Sequence, residues 1–411
     1  MKFHKIDSNH GSFRWVVLIA GFAVTLCLGT LYAWSVLVQP LEKEFGWTRA
    51  EVTLPFVVAT LSFSFGMIFT GMWQDKAGPR VVALASALLA GGGFLLSSLA
   101  GSLPHLIISY GLIFGLGNSA GYIVAVSAGL KWFPQRRGLA SGIVVGGYGL
   151  GAFVFAPIMS YMTDITGWRS MFVILGVVFL AVISISSFVL RNPSEPTTSG
   201  SPYARGASNL NPTINHSPRE LLKKPLFYLL WTIFFLSCTA GLMVVAHLKP
   251  FAMATAVISP IEASVAVSIL SIFNFSSRIG MGWLSDVTGR MMMLAIIVVL
   301  TAFNMFLFPM YNTLIIIYLG AAITGICFGT NLGLFPAITA DNWGIKYLGV
   351  NYGMMLTAWG IGGLVGPMIG GYVYDMTGSY DGAFRIGSLL AISTLMFIYV
   401  TTRRRFGYRK S

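Results

Sequence analysis

Apolar residues run along this chain in long unbroken stretches, as at residues 16–38 and 389–400, and polar residues gather in the short gaps between them. Such stretches lack the two-residue alternation of half-buried strands. They reach the roughly 20 residues that a helix needs to cross a hydrocarbon core of about 30 Å. Lipid offers no partners to backbone N–H and C=O groups, so continuous runs of this kind cross as helices. The pattern predicts an all-α integral membrane protein with twelve crossings. They lie near residues 15–39, 51–73, 81–100, 105–130, 138–163, 169–190, 225–247, 262–284, 292–310, 313–340, 349–374 and 383–402. The first run is too long for the apolar region of a signal peptide and carries no cleavage site, so it reads as the first span.

Residues 192–224 break the pattern. Their segment PSEPTTSGSPYARGASNLNP cannot bury a core and reads as a flexible linker. The expected organisation is a six-helix bundle over 1–191, a cytoplasmic linker over 192–224, a second six-helix bundle over 225–402 and a basic tail over 403–411. The halves look duplicated. Gly71, Asp75 and Gly78 follow the second span with the spacing of Gly282, Asp286 and Gly289 after the eighth. Tyr161, Asp164 and Gly167 match Tyr372, Asp375 and Gly378 in the same way. Repeats of this type place a binding site between the halves, near the bilayer midplane.

Composition agrees with a membrane protein: 55% of residues are hydrophobic and 9% charged, against about 25% charged in soluble domains. The net charge of +13 does not call for nucleic acid. With the N-terminus inside, twenty of the 26 Lys and Arg fall on one side of the twelve spans and five on the other. This is the positive-inside bias, which puts both termini in the cytoplasm and the chain in an inner cell membrane. The tail Arg403, Arg404, Arg405, Arg409 and Lys410 then sits against anionic lipid. Cys27, Cys238 and Cys327 lie inside spans and read as buried small residues rather than disulfide partners.

The remaining Lys or Arg, Arg278, lies within the eighth span, and none of the 13 acidic residues falls near the centre of a span. A charge within a span is costly and marks function. A guanidinium without an internal carboxylate, facing a cavity, can receive a carboxylate in bidentate fashion. Asn274, one turn earlier on the same face, can add a neutral hydrogen bond. His247 ends the seventh span and, as a histidine, is the candidate for proton coupling. Glycine clusters at 146–151 and 360–366 permit close helix contacts and the bending that alternating access needs. Phosphate loops, metal-ligand clusters and nucleophile constellations are absent from the sequence, so no cofactor, metal or catalysis is expected.

Gly71, Asp75, Lys76, Gly78 and Arg80 fulfil G-x-x-x-D-[RK]-x-G-x-R, and with the twelve-span topology the chain resembles the major facilitator superfamily. The resemblance implies a fold of two pseudo-symmetric six-helix bundles and a gate built on Asp75, Lys76 and Arg80, with Asp286 and Arg290 at the matching place. The stretch from Trp132 and Phe133 through Arg136, Arg137, Leu139, Ala140 and Gly142 to Gly151 resembles a monocarboxylate transporter signature. Trp132 and Gln135 depart from it. His10, Gly11, Ser12, Phe13 and Trp15 resemble the other signature, with departures at His10 and Arg14. Leu31, Tyr32, Ala33, Trp34, Ser35 and Asn351, Tyr352, Gly353 look like the oxalate/formate branch. There Tyr32, Tyr122 and Tyr148 match tyrosines that close around substrate, and Phe328 and Leu332 stand where that branch has larger aromatics. Asn274 replaces an aspartate of the monocarboxylate transporters, and Trp34 aligns with their first-span lysine. Trp359 aligns with a lysine of the oxalate antiporter. One fixed cation then favours a monoanion. The expectation is a monomeric secondary transporter of a lactate- or pyruvate-like monocarboxylate with a proton. An oxalate/formate-type exchanger and a carboxylate-sensing membrane receptor are the alternatives.

Overall fold

The computed structural model describes residues 12–193, 215–256 and 258–407. His10, Gly11, most of the linker, Arg409 and Lys410 lie outside the described residues. The described residues form helices and no strands. Helix α1 (Phe13–Leu28) passes through a 3-10 turn (Gly29–Ala33) into α2 (Ser35–Phe45). Next come α3 (Arg49–Ala77) and α4 (Pro79–Ser98). Helix α5 (Leu103–Leu106) leads through a π-helical stretch (Ile107–Phe114) into α6 (Gly115–Trp132). The long α7 (Arg137–Val189) precedes the short α8 (Pro218–Leu221). The remaining helices are α9 (Pro225–Thr255), α10 (Pro260–Thr288), α11 (Arg290–Leu307), α12 (Leu314–Trp343), α13 (Leu348–Thr377) and α14 (Asp381–Gly407).

Eleven of these stretches are long and apolar enough to cross a membrane. Straight, the 53 residues of α7 would run roughly 80 Å, far beyond one hydrocarbon core. The chain instead turns at Gly167, whose backbone is non-helical, and α7 supplies two crossings. The expected twelve spans are therefore present, in two sets of six.

The repeated Asp-x-x-Gly of the sequence proves to be a repeated helix stop. Gly78, Gly167, Gly289 and Gly378 all adopt positive φ, between 71° and 95°, a conformation that a Cβ would strain. Helix starts are marked as plainly. Thr48 with Glu51 and Ser259 with Glu262 form capping boxes at α3 and α10. Ser217 with Glu220 does the same at α8, where the Ser217 backbone N–H, and then its hydroxyl, hold the Glu220 carboxyl below the usual range.

The halves meet where α3 packs along α13 and α7 along α10. Backbones touch there. A Cβ on Gly71 would come within 2.3 Å of the Gly349 oxygen, and one on Gly138 within 2.0 Å of the Gly282 oxygen. The pairs Gly71–Gly349 and Gly282–Gly138 exchange under a single shift of 211 residues, as do Asp75 and Asp286. The sequence repeat is thus a structural pseudo-twofold.

Candidate functional site

Arg278 sits on α10 at the contact with α7 and is only 2% exposed. Its Nε donates to Asn274 Oδ1 at 2.9 Å, which places Asn274 where helical spacing put it. Its Nη1 donates to the Val145 carbonyl at 2.6 Å, across to the opposite half. The guanidinium lies flat on α7 because residue 149 is glycine. A Cβ there would stand 3.0 Å from Cζ. The phenols of Tyr32, Tyr122, Tyr352 and Tyr148 are its electrostatic neighbours. Among the described residues no carboxylate pairs with Arg278. Its charge is therefore solvated by neutral oxygens alone, and the centre of the protein keeps a positive potential.

Local backbone choices assemble the ring around it. Where α1 gives way to the 3-10 turn, Asn118 Nδ2 donates to the Leu28 carbonyl at 3.0 Å, and the turn carries Tyr32 inward. The Tyr32 ring meets Tyr148 edge-on at 5.3 Å. Phe63 of α3 stacks on Tyr148 at 5.5 Å and meets Tyr122 and Trp359 edge-on at 5.4 and 5.7 Å. The hydroxyls of Tyr122 and Tyr352 lie 3.5 Å apart. Tyr148 lies beside Asn118, yet Tyr148 Oη has no aligned partner, and neither has Trp359 Nε1. A buried donor left unmade costs about 1–3 kcal/mol. Of the two, Tyr148 belongs to the group around Arg278, and Trp359 reaches that group through Phe63.

Arg278, Asn274, Tyr32, Tyr122, Tyr148 and Trp359 thus come together. Phe328 does not join them by ring contact. It presses on Gly241 and lines a separate small, mostly apolar cavity that also holds Ser237, Asn304, Thr324 and Asn331. His247 is docked elsewhere, with Nε2 2.9 Å from the Pro367 carbonyl and its ring 5.1 Å from Tyr380. Sequence reasoning passed over Tyr352 and Phe63 as pocket residues. Tyr352 carried a signal, its place in the Asn-Tyr-Gly stretch. Phe63 carried none, being one phenylalanine in an apolar run.

At one end of the bundle each half caps a helix of the other. Asp75 accepts from the Gly349 and Val350 N–H groups, both at 3.0 Å, at the start of α13. Asp286 accepts from the Gly138 and Leu139 N–H groups at 2.9 and 3.0 Å, at the start of α7. A carboxylate at a helix N-terminus meets both free donors and the positive end of the dipole. The basic residues of the motif act differently from expectation. Arg80 Nη2 donates to the Phe188 carbonyl within its own half, and Lys76 is exposed. Arg290 holds Asp286 and Asp341, and it is Asp341 that crosses the interface, accepting from Arg137 at 2.7 Å. The Arg137–Asp341 pair was not foreseen: Arg137 stands in the signature-like stretch without a stated role, and Asp341 looks like an ordinary solvated helix end.

The Major Facilitator Superfamily family model matches residues 16–364 and 249–410. An uncharacterized MFS-type transporter, YhjX, of Escherichia coli (strain K12) is 29% identical over 87% of both chains. The oxalate:formate antiporter of Oxalobacter formigenes is 27% identical over 94% of this chain and 91% of its own. Monocarboxylate transporter 13 of Rattus norvegicus is 27% identical over 95% and 89%. The fold is also that of the human organic anion transporter MFSD10, with a TM-score of 0.73, 14% identity and coverage of 94% and 99%. The chain belongs to the major facilitator superfamily and is a multi-pass membrane transporter.

Proposed function

We propose that the protein carries a small organic monocarboxylate, lactate- or pyruvate-like, together with a proton across an inner cell membrane, as a monomer with both termini in the cytoplasm. The bundles 1–191 and 225–402, joined by the 192–224 linker, rock about a site centred on Arg278. One observation carries this reading: a buried arginine whose partners among the described residues are neutral oxygens, ringed by four tyrosines. A carboxylate fits the planar guanidinium fork, and a single cation balances a single negative charge. Likeness to monocarboxylate transporters and to an oxalate:formate antiporter over nearly the whole chain supports the same substrate class.

The halves are in contact at the Asp75–Asp286 end, which the positive-inside pattern assigns to the cytoplasm. Arg278 bridges the halves through the Val145 carbonyl, so an anion that takes Nη1 loosens one contact between them. Binding is then linked to movement by its different strength in the two states. His247 sits away from the pocket. A proton there acts through the α9–α13 contact at Pro367, not by touching the anion. The likeness to the antiporter favours one second reading, anion exchange.

The test is uptake into proteoliposomes with a panel of labelled mono- and dicarboxylates, with and without an inward proton gradient. Lactate or pyruvate uptake that rises with the gradient is expected. Transport of dicarboxylates alone would overturn the monocarboxylate assignment, and counterflow without any net uptake would replace symport with exchange.

A further inference from the structure

Helices α9 and α14 pack against each other, and an open groove of about 390 Å³ runs between their ends. Leu229, Thr232 and Phe397 line its inner part, and Pro225, Tyr228 and Lys223 its mouth. Its height in the membrane follows from the chain. Lys223 and Lys224 precede the first residue of α9, and Phe397 lies one turn before the end of the last span at Thr401. The groove therefore begins where apolar helix meets the basic flank, at headgroup level. Tyr228, 53% exposed, donates its hydroxyl to the Leu222 carbonyl at 2.9 Å, which fixes an amphipathic ring in the wall at the depth such rings prefer.

The chemistry of this groove is asymmetric. Its inner wall is apolar and its mouth carries an exposed ammonium, with no acidic residue in the lining. The acid closest in sequence, Glu220, accepts from the Ser217 N–H and faces Lys224 and His216. Immediately after the span the sequence adds Arg403, Arg404 and Arg405. We propose that this groove is a binding site for one anionic glycerophospholipid, with the phosphate on Lys223 and an acyl chain along Leu229, Thr232 and Phe397. The apolar wall selects a lipid over a free phosphate. A cationic mouth without a carboxylate to meet a choline selects an anionic headgroup over a zwitterionic one. A basic side chain near the membrane surface contributes about 1 kcal/mol toward anionic lipid, a factor of about five in affinity.

Native mass spectrometry of the full-length protein in detergent would read this directly, with titrations of dioleoyl phosphatidylglycerol, dioleoyl phosphatidylcholine and glycerol 3-phosphate. Phosphatidylglycerol should bind at least about fivefold more tightly than phosphatidylcholine, and glycerol 3-phosphate should neither bind nor compete. Lys223→Glu should abolish the preference. Lys224→Glu makes the same charge change off the groove and should keep it. Thr232→Trp fills the groove and should remove one bound lipid, which keeps the test open if Lys223→Glu does not fold. Equal binding of the two lipids, competition by glycerol 3-phosphate, or equal loss in both lysine variants would overturn the proposal.

Discussion

Asp75→Asn is the sharpest test of the gate. In the structure the carboxylate accepts two backbone N–H groups of α13, both at 3.0 Å. Asparagine keeps one acceptor oxygen and presents a donor to the other N–H. A hydrogen bond to a charged acceptor contributes about 1.5–3 kcal/mol, and a charge at a helix N-terminus about 0.3–1 kcal/mol. Losing one bond and the charge should destabilise closure at this end by about 2–3 kcal/mol, roughly 30- to 150-fold in the closed-to-open ratio. Intrinsic anion affinity should hold, because Arg278 and its neighbours are untouched. Val350 is 1% exposed beside Asp75, so a cysteine at 350, in a background with Cys27, Cys238 and Cys327 replaced, reports opening. Its reaction rate with a membrane-impermeant thiol reagent should rise by one to two orders of magnitude in the Asp75→Asn protein. An unchanged rate with unchanged transport would refute the capping argument and leave Asp75 a topological residue.

Four further outcomes follow, three from the pocket and one from His247. Arg278→Ala should abolish uptake in a folded protein, and Arg278→Lys should lose most of it, since a point charge cannot reach carboxylate, Asn274 and Val145 in one plane. Trp359→Lys should raise the ratio of oxalate to lactate uptake, because a second cation balances a second carboxylate, and competition assays in proteoliposomes would read it. His247→Gln should remove the gradient dependence of uptake while sparing counterflow, and full retention of gradient-driven uptake would eliminate His247. Asn274→Asp should weaken lactate binding at neutral pH and restore it in acid. An ionised carboxylate there occupies Arg278, and protonation releases the arginine for substrate.

What the sequence disclosed was whatever depends on order along the chain. Apolar runs gave the spans, and the Asp-x-x-Gly repeats marked helix ends that the structure places at positive-φ glycines. Arg278 stood out because a charge in an apolar run has few other uses, and Asn274 followed from helical spacing. Contacts between distant helices were less legible. Phe63 is indistinguishable from the lipid-facing phenylalanines around it, such as Phe65 and Phe69, because an aromatic satisfies either environment equally. Phe328 was assigned to the pocket by alignment, but the small Gly241 opposite it drew the ring into the interior of its own half. At the gate, the motif drew attention to Arg80, whereas the charge that crosses is Asp341, paired with Arg137. Arg137 lies in a signature-like stretch, but which acid of the opposite half it meets is decided by packing that no short motif contains.

The pseudo-twofold relates the caps between the halves but not the cluster around Arg278. Under the shift of 211 residues, Asp75 and Gly71 repeat as Asp286 and Gly282, and the capped N–H groups of Gly138 and Leu139 as those of Gly349 and Val350. The pocket does not repeat. Arg278 corresponds to Met67, Asn274 to Phe63, and Tyr148 to Trp359. The cation therefore belongs to one half, and Tyr32, Tyr122 and Tyr148 face it from the other. Asn274 Oδ1 and the Val145 carbonyl, at 2.9 and 2.6 Å, are its neutral partners, and the second of these bonds joins the two halves. A carboxylate that took Nη1 from Val145 would trade a bond between the halves for a charge-assisted one. Arg278 is therefore the point at which the unrepeated cluster meets the repeated interface.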